Sequence, residues 1–467
     1  MNRDSIDFGT MNITKLFRKL FIPTLLGMVF SAVFVITDGI FVGQGIGSDA
    51  LAAINITAPI FLVNTGIALM FGIGASVVAS IHLSRGKIKV ARINITQAVI
   101  ICSLFIIALV AATMCNIEGV ARWLGCSDRL LPLSAEYMMW FAPFLPFSTL
   151  LNSGLFYIRL DGSVNYAMFC NIIAAAINMF LDFLLIIVFD LGMFGAAIAT
   201  SIGYVIGATL ILIYLLQKKR TLHLCSIKLS RKSMLLTVRN VGYMCRLGFS
   251  TLLCQVAVAI MMFRGNIEFM NYLGEDGVAA YSIACYLFPI AYMANNAIAQ
   301  SAQPIMSYNY GAGKDDRVRA TLKIALITAL GFGTAAFLII SLFAPQVSMM
   351  FVPYGSTAYN YGVEGLPLFA LGFLFFGINV VCIGYFQSIE RESPSNIITI
   401  VRGYILVLLC FWLMPQIWGF KGLWLAVPTS DFLTLFVVLA MYIYNKRKRV
   451  MNFRRGMIIQ AIKHMTS

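Results

Sequence analysis

The sequence predicts an all-α membrane protein of twelve transmembrane helices, arranged as two six-helix lobes related by pseudo-two-fold symmetry. Three observations support this fold class. Of the 467 residues, 60% are hydrophobic and only 11% are charged, whereas soluble domains are about 45 to 50% apolar. Twelve apolar segments reach the length of about 20 residues that a helix needs to cross a bilayer. The second half of the chain also repeats the first at one constant offset, which carries Gly47 onto Gly274.

The apolar segments are spread evenly along the chain, six in each half. Those of the first half lie at roughly 19 to 42, 51 to 80, 94 to 115, 134 to 158, 166 to 189 and 193 to 216. Those of the second half lie at roughly 242 to 272, 278 to 305, 321 to 344, 361 to 386, 396 to 418 and 423 to 444. We therefore predict an N-lobe (1–220), an interlobe linker (221–241), a C-lobe (242–445) and a basic tail (446–467).

Lysine and arginine are distributed unevenly over the connections. With the N-terminus inside, 30 of the 34 basic residues fall on cytoplasmic segments, Arg159 and Arg402 included. Cytoplasmic loops carry such an excess, so we expect a multi-pass protein of the cell (inner or plasma) membrane with both termini cytoplasmic. Topology and anionic lipid then explain the net charge of +15 without nucleic acid. The run KRKRVMNFRR at 446–455 is predicted to bind the lipid surface, or alternatively a regulatory partner.

The internal repeat is gap-free at three separated places. Its clearest pairs are Gly47 with Gly274, Phe61 with Phe288, Gly86 with Gly313, Arg92 with Arg319, Gly192 with Gly419 and Gly195 with Gly422. Each half contains an even number of helices, so both halves enter the membrane from the same side. Parallel repeats of this kind are a common transporter plan, with the binding site between or within the repeats.

Enzyme and cofactor signatures do not appear in the sequence. The ten cysteines lie mostly in apolar segments without a CxxC pair, which indicates neither a disulfide framework nor a zinc site. A GxxxxGK[ST] nucleotide loop is also missing, so ATP-driven pumping is not expected. We predict a protein that is not an enzyme and that has no cofactor apart from a coupling ion.

Two carboxylates of the first half fall inside predicted spans. Asp38 lies late in helix one, and Asp182 lies about 16 residues into helix five. At 1.5 Å per residue they stand about 27 Å and about 24 Å above the inner edge, in the same layer. Asn178 precedes Asp182 by one turn on the same face, and Thr200 in helix six reaches the same depth. A carboxylate at mid-span costs about 2.5 to 3.5 kcal/mol, which makes each a functional candidate.

These four residues, Asp38, Asn178, Asp182 and Thr200, are predicted to form a cation-coupling site. Their oxygens are hard ligands that suit Na⁺, so a sodium ion at these residues is one prediction. Carboxylates buried close together also repel each other, which favours proton binding. The coupling ion is therefore Na⁺ or H⁺. The structural alternative is that the aspartates cap a helix break or bond a neighbouring helix, and that Thr200 bonds its own backbone.

The repeat tests this prediction within the sequence. The repeat offset carries the four positions onto Gly265, Ile405, Leu409 and Val427. The polar cluster is therefore missing from the second half. Scaffolding that the fold requires would be needed in both halves, so an ion site confined to the N-lobe is the better explanation.

Other polar residues in the predicted spans have less specific interpretations. Glu268 follows Arg264 by four positions, which permits an ion pair on one helix face, and we predict that pair rather than a transport role. Asp431 follows Pro428 and could either satisfy backbone groups that the proline frees or join a relay. We also predict a substrate cavity that includes Asn152, Gln255, Gln303 and Asp431.

Several segments resemble the multidrug and toxic compound extrusion (MATE) family, over essentially the whole chain. They are DGIFVGQGIGSDALAA with Pro59, NMFLD with GAAIAT, SAQPIMSYNYGAGK and GLWLAVPTSD. The resemblance implies two lobes forming a V and a cation site in the N-lobe at Asp38, Asn178, Asp182 and Thr200. Some relatives also place a cation-binding glutamate in helix seven and an aspartate in helix ten. This chain departs from that pattern, with no match in the middle of helix seven and Asn379 in helix ten.

On this basis we predict a secondary active multidrug exporter, an antiporter that exchanges organic cations or amphiphilic drugs for Na⁺ or H⁺. Its partners are then small drug-like molecules and membrane lipids, and it works as a monomer. The rival is a flippase for lipid-linked oligosaccharides or lipids, which would need cavity arginines for pyrophosphate. Only Arg264 is predicted well within a span. An intramembrane aspartyl protease would need a GxGD sequence, whereas Asp182 follows MFL.

Overall fold

The computed structural model describes residues 6–124, 126–227 and 230–465. The helices of the first half are α1 (Ile13–Gly45), α2 (Ser48–Ser84), α3 (Ile88–Met114), α4 (Ile117–Trp123), α5 (Leu131–Phe141), α6 (Leu145–Leu160), α7 (Val164–Asp182) and α8 (Gly192–Leu216). Those of the second half are α9 (Arg231–Gly311), α10 (Asp315–Leu342), α11 (Ala344–Met349), α12 (Thr357–Ala370), α13 (Gly372–Ser388), α14 (Glu392–Ile400) and α15 (Val407–Met465). The side chains of the predicted basic tail, 446–467, lie outside the described residues.

Three short turns complete the helical path. A 3₁₀ turn, Ala142–Phe144, joins α5 to α6. Turns of π-helix, Phe183–Val188 and Val401–Leu406, continue α7 and α14 respectively. Turns of π-helix are rare and often lie at functional sites. The first of these follows Asp182 directly, and the second contains Arg402.

The predicted twelve spans are confirmed. Among the described residues, ten helical runs are long and apolar enough to cross a membrane. Two of these runs are double, because α9 breaks at Gly274 (φ 67°) and α15 breaks at Gly419 (φ 53°). Glycine adopts a positive φ without the steric cost that a Cβ atom brings. The breaks divide α9 into arms 231–273 and 275–311 and α15 into arms 407–418 and 420–465, which raises the number of spans to twelve.

The glycine turns also show the internal repeat in the backbone. Six glycines with positive φ form three pairs at the repeat offset: Gly47 with Gly274, Gly86 with Gly313 and Gly192 with Gly419. The match is close in the middle pair, where φ is 71° and 73°. Turns at these equivalent places therefore use a glycine with positive φ in both halves.

The turn before α7 and its counterpart before α14 are separated by one residue more than the rest of the repeat. Before α7, the N–H of Gly162 donates to the carbonyl of Arg159; before α14, the N–H of Glu390 donates to the carbonyl of Gln387, one position beyond the repeat offset. The equivalents of Asn178 and Asp182, interpolated at 405 and 409, lie between this shifted turn and the Gly192–Gly419 pair, which keeps the repeat offset. The stretch 405–411 reads ILVLLCF, without any carboxylate, amide or hydroxyl, so the second half lacks the cluster in either register.

The lobes meet at one end of the bundle, which we call the basic end and define by the loops 85–87 and 312–314. There α2 packs against both arms of α9. The Ser76 hydroxyl donates to Oε1 of Gln303 at 3.3 Å, and Nε of Arg85 donates to the carbonyl of Gly311 at 3.3 Å. These contacts join the two repeats at the end of α2.

The segment before α1 crosses onto the second lobe. Nδ2 of Asn309 donates to the carbonyl of Phe8 at 2.9 Å, and Nη2 of Arg317 donates to the same carbonyl at 3.1 Å. The Thr10 hydroxyl bonds the carboxylate of Asp7 and holds its pKa below the ordinary value. Residues 7–10 therefore help to close the basic end, although they belong to the first repeat.

Arg159 is a buried cation at the basic end. The sequence assigned it to a connection, but it lies in the last turn of α6 and is only 6% exposed. Its Nη1 donates a 2.7 Å hydrogen bond to Oε1 of Gln300 in the second arm of α9. A guanidinium that is already desolvated forms a strong, charge-assisted bond, and this bond crosses between the lobes.

Replacing Arg159 by Ala is expected to loosen the basic end. The reporter is maleimide labelling of a cysteine introduced at Ser80, which is fully buried there (0% exposed), in a background without the native cysteines. Losing a hydrogen bond of a charged group costs about 1.5 to 3 kcal/mol, so we expect labelling to accelerate about tenfold or more. Arg122→Ala, at an exposed ion pair with Asp128, is the control, and equal labelling rates in the two variants would contradict the interlobe role.

Candidate functional site

Asp182 is the most deeply buried carboxylate of the first lobe. It is the last residue of α7, directly before the π-helical turn, and it is 0% exposed. Neither of its carboxylate oxygens has a hydrogen-bond partner among the described residues. Leaving a buried polar group unpaired costs about 1 to 3 kcal/mol, and more for a charged one. The group therefore suits a proton or a cation.

Asp38 lies between that buried carboxylate and a cavity. It lies in α1, is partly buried and lines a cavity of about 220 Å³ between α1, α2, α5 and α8. Its carboxyl group lies near that of Asp182 and interacts with it electrostatically. Two carboxylates can share a hydrogen bond only when one carries a proton, and two ionised ones need a cation between them.

The remaining two predicted residues complete the group. Asn178 is 1% exposed and Thr200 is 6% exposed. Nδ2 of Asn178 donates to Oγ1 of Thr200 at 3.3 Å, and the Thr200 hydroxyl donates to the carbonyl of Ala196 at 3.0 Å. Oδ1 of Asn178 has no partner among the described atoms. The structure thus brings the four residues together, and it also shows the backbone bond that was considered as the alternative for Thr200.

Two tyrosines belong to the same site and were missed from the sequence. Tyr137 of α5 and Tyr204 of α8 line the Asp38 cavity, and both interact electrostatically with Asp38. Tyr204 follows Thr200 by four residues, a spacing that places both on one helix face. That spacing was the available signal for Tyr204. Tyr137 had no signal, because a tyrosine in a membrane helix is common.

A second cavity of about 150 Å³ adjoins the first and reaches the other lobe. Phe34, Phe61, Thr200 and Tyr204 line both cavities, and Met293 of α9 lines the second one. Amide side chains supply much of its polar wall: Asn152, Asn171 and Asn178. Among the described residues that line either cavity, none is a lysine or arginine. The space is aromatic and polar, and its charged group is the carboxylate of Asp38.

The four residues predicted for a substrate cavity lie at four different places. Asn152 lines the second cavity. Gln255 accepts a 3.2 Å hydrogen bond from the Tyr292 hydroxyl, and Gln303 contacts Ser76 across the lobes. Asp431 is in the second lobe. Only Asn152 thus lies near the cation-coupling residues.

Two carboxylates of the second lobe form ion pairs with arginines. Arg264 and Glu268 form the predicted ion pair one turn apart. Asp431 was predicted either to satisfy backbone groups or to join a relay, but it forms a buried ion pair with Arg402. The sequence placed Arg402 on a connection and left Arg264 as the one arginine well within a span. That placement of Arg402 was wrong, because Arg402 lies in the π-helical turn that continues α14 and its side chain is 13% exposed.

The sequence matches a known family twice. A family model described as MatE matches residues 23–184 and again residues 248–412. The starts of the two matched stretches are separated by nearly the same distance along the chain as the two copies of the internal repeat. Together they cover well over half of the chain.

Characterised relatives and solved structures match over nearly the full length. An FAD transporter of Shewanella oneidensis is 27% identical over 430 residues, which cover 90% of this chain and 92% of that protein. The multidrug export protein MepA of Staphylococcus saprophyticus is 23% identical, covering 92% and 93%. A structure titled as the outward-facing conformation of a multidrug resistance MATE family transporter has a TM-score of 0.83 at 22% identity, covering 93% and 97%. A Vibrio cholerae MATE transporter has a TM-score of 0.85 at 20% identity, covering 93% and 98%.

Proposed function

The chain belongs to the MatE family of multidrug efflux transporters, and from that premise we propose that it exports organic cations or amphiphilic drugs in exchange for Na⁺ or H⁺. It is a multi-pass membrane transporter and not an enzyme. The observation that carries the proposed exchange is the pair of neighbouring, interacting carboxylates, Asp38 and Asp182, of which the second has no hydrogen-bond partner among the described residues.

In the proposed cycle the coupling ion enters through the Asp38 cavity. Asp182 is fully buried, so an ion reaches it past Asp38 and Thr200, which line that cavity. Binding neutralises the two carboxylates and favours closer packing of α1 against α7. A ligand shifts a two-state equilibrium by the difference in its affinity for the two states, so an ion that prefers one packing biases the lobes toward it.

The basic end is assigned to the cytoplasm in this proposal. Its loops carry the lysine and arginine excess that marks cytoplasmic segments, and both termini then lie inside. Because the lobes are joined at this end, the cavities of the N-lobe are reached from outside in this conformation. A single chain contains both repeats and the complete ion site, which supports a monomeric transporter.

The cavity walls favour cationic and amphiphilic cargo. Aromatic rings such as Phe34 and Phe61 attract organic cations and apolar groups, and Asp38 supplies a negative charge. A lipid-linked pyrophosphate would need arginine or lysine, and neither lines the two cavities in the described part of the chain. The flippase rival is therefore not favoured. FAD, which one relative is named for transporting, carries the same pyrophosphate chemistry and is a useful competing cargo.

Dye efflux from proteoliposomes tests the proposal. Purified protein is reconstituted with an encapsulated cationic dye, and Na⁺ and pH gradients are imposed separately. We expect efflux with one of these gradients and little without a gradient. Loading FAD in place of the dye provides the second arm. Gradient-driven export of FAD without export of the cationic dye would overturn the assigned cargo class, and efflux that ignores both gradients would overturn the exchange.

A further inference from the structure

Arg402 and Asp431 form a buried ion pair inside the second lobe. Nε of Arg402 lies 2.5 Å from Oδ1 of Asp431, and the two side chains are 13% and 3% exposed. The guanidinium also lies over the ring of Phe376, 4.5 Å from its centroid. Asn379, which is fully buried, donates through Nδ2 to the same carboxylate oxygen at 3.2 Å.

The space around this pair is the second-lobe counterpart of the N-lobe cavity. The repeat offset pairs its lining residues with those of the N-lobe: Val258 with Ser31, Met261 with Phe34, Phe288 with Phe61, Val427 with Thr200, Ser430 with Gly203 and Asp431 with Tyr204. With the one-residue change of register that applies before α7 and α14, Arg402 corresponds to Ala174, which lines the N-lobe cavity. Both repeats thus build a cavity from the same positions.

The two cavities differ in what fills them. The N-lobe cavity measures about 150 Å³, whereas the one around Arg402 measures about 20 Å³, which is room for about one water molecule. In the N-lobe, the residue that corresponds to Arg402 is the small Ala174. In the C-lobe the arginine side chain projects into the equivalent space and places its charge against Asp431.

We propose that Arg402 is a tethered cation that occupies a latent cation-binding site formed by Asp431 and Asn379 in the C-lobe. The carboxylate and the amide would otherwise bind a small planar cation of guanidinium type. Oδ1 of Asn379 has no hydrogen-bond partner among the described atoms, so this site has one further oxygen to offer. The lobe that carries its own cation then has no exchangeable ion, and coupling is confined to the first lobe.

Chemical rescue tests this assignment directly. Arg402→Ala removes the guanidinium and leaves the Asp431 carboxylate buried without its cation, which is strongly destabilising. Methylguanidinium, added at millimolar concentration to the purified variant in detergent, is expected to restore the thermal midpoint saturably. The wild-type protein, whose site is filled, is expected to show no such increase. The readout is the thermal midpoint alone and needs no transport, so its outcome is independent of the proposed function.

The matched control is the double variant Arg402→Ala with Asp431→Asn. It has the same cavity without the negative charge, so it is expected to be more stable than Arg402→Ala and to be unaffected by methylguanidinium. If Arg402→Ala does not fold, methylguanidinium present throughout purification is expected to recover it. Equal rescue of the single and double variants, no rescue of the single one, or a double variant as unstable as the single one would each overturn the proposal. The last result would show that Arg402 contributes packing rather than charge.

Discussion

Asp182→Asn and Asp38→Asn are each expected to reduce gradient-driven efflux to the background of protein-free liposomes. An asparagine has the shape of the aspartate but no negative charge. It therefore neither takes up a proton nor neutralises the charge of a bound cation. The energetic coupling between two sites is typically about 1 to 3 kcal/mol, about 5- to 150-fold in affinity. Losing one carboxylate removes that coupling, and efflux under an imposed Na⁺ or pH gradient measures the loss.

The same variants are expected to keep or gain thermal stability. Asp182 is fully buried and its oxygens have no partner among the described residues, so the charge is a cost to the folded protein. In Asp182→Asn the new amide can donate to the neighbouring carboxylate of Asp38, with which Asp182 interacts. Loss of transport with an undiminished thermal midpoint would separate a functional role from a scaffolding role.

Asp128→Asn is the matched control for both variants. Asp128 has a side chain that is 93% exposed and pairs with Arg122 on the surface, and exposed pairs contribute about 0 to 1 kcal/mol. Its efflux and thermal midpoint are expected to equal those of the unmodified protein. If either site variant transports as well as Asp128→Asn, the carboxylates do not couple the ion.

The features that could be predicted from the sequence are those that only particular residues allow, or that cost much free energy to place in a membrane. Asp38 and Asp182 could be found because a carboxylate at that depth is expensive, and the glycine turns could be paired because few residues tolerate a positive φ. Tyr137 could not be found, since a buried tyrosine fits a membrane helix without a special role. Arg402 was misplaced because it lies near the inner end of its span, where an arginine is usually assigned to the loop.

Helix ends were the least accurate part of the prediction, for a local reason. The apolar segment of helix one begins near residue 19, but α1 begins at Ile13. Oδ1 of Asn12 accepts hydrogen bonds from the N–H groups of Thr14 at 3.0 Å and Lys15 at 3.3 Å, which starts the helix. Hydropathy marks where a helix lies in lipid, whereas capping side chains decide where it starts.

Gly74→Leu and Gly248→Leu are expected to prevent closure of the basic end and to lower efflux at least about tenfold. A Cβ atom at Gly74 would overlap the carbonyl oxygen of Met244, and one at Gly248 would overlap the carbonyl oxygen of Met70. Both contacts are with the backbone of the other lobe, which cannot rotate away as a side chain can. The helices α2 and α9 must separate to admit a leucine, and the closed state of the cycle is lost.

Gly242→Leu is the control, because no described atom of a neighbouring element lies within 4 Å of a Cβ placed there and it is on the same arm of α9 as Gly248. Two measurements distinguish blocked closure from general damage. Maleimide labelling of a cysteine at Ser80 should accelerate in the Gly74 and Gly248 variants and stay slow in Gly242→Leu. The thermal response to the coupling ion should persist in all three, since Asp38 and Asp182 are unchanged. Full efflux by Gly74→Leu would mean that the close approach of α2 and α9 is dispensable, and the lobes would then have to exchange cargo without closing here.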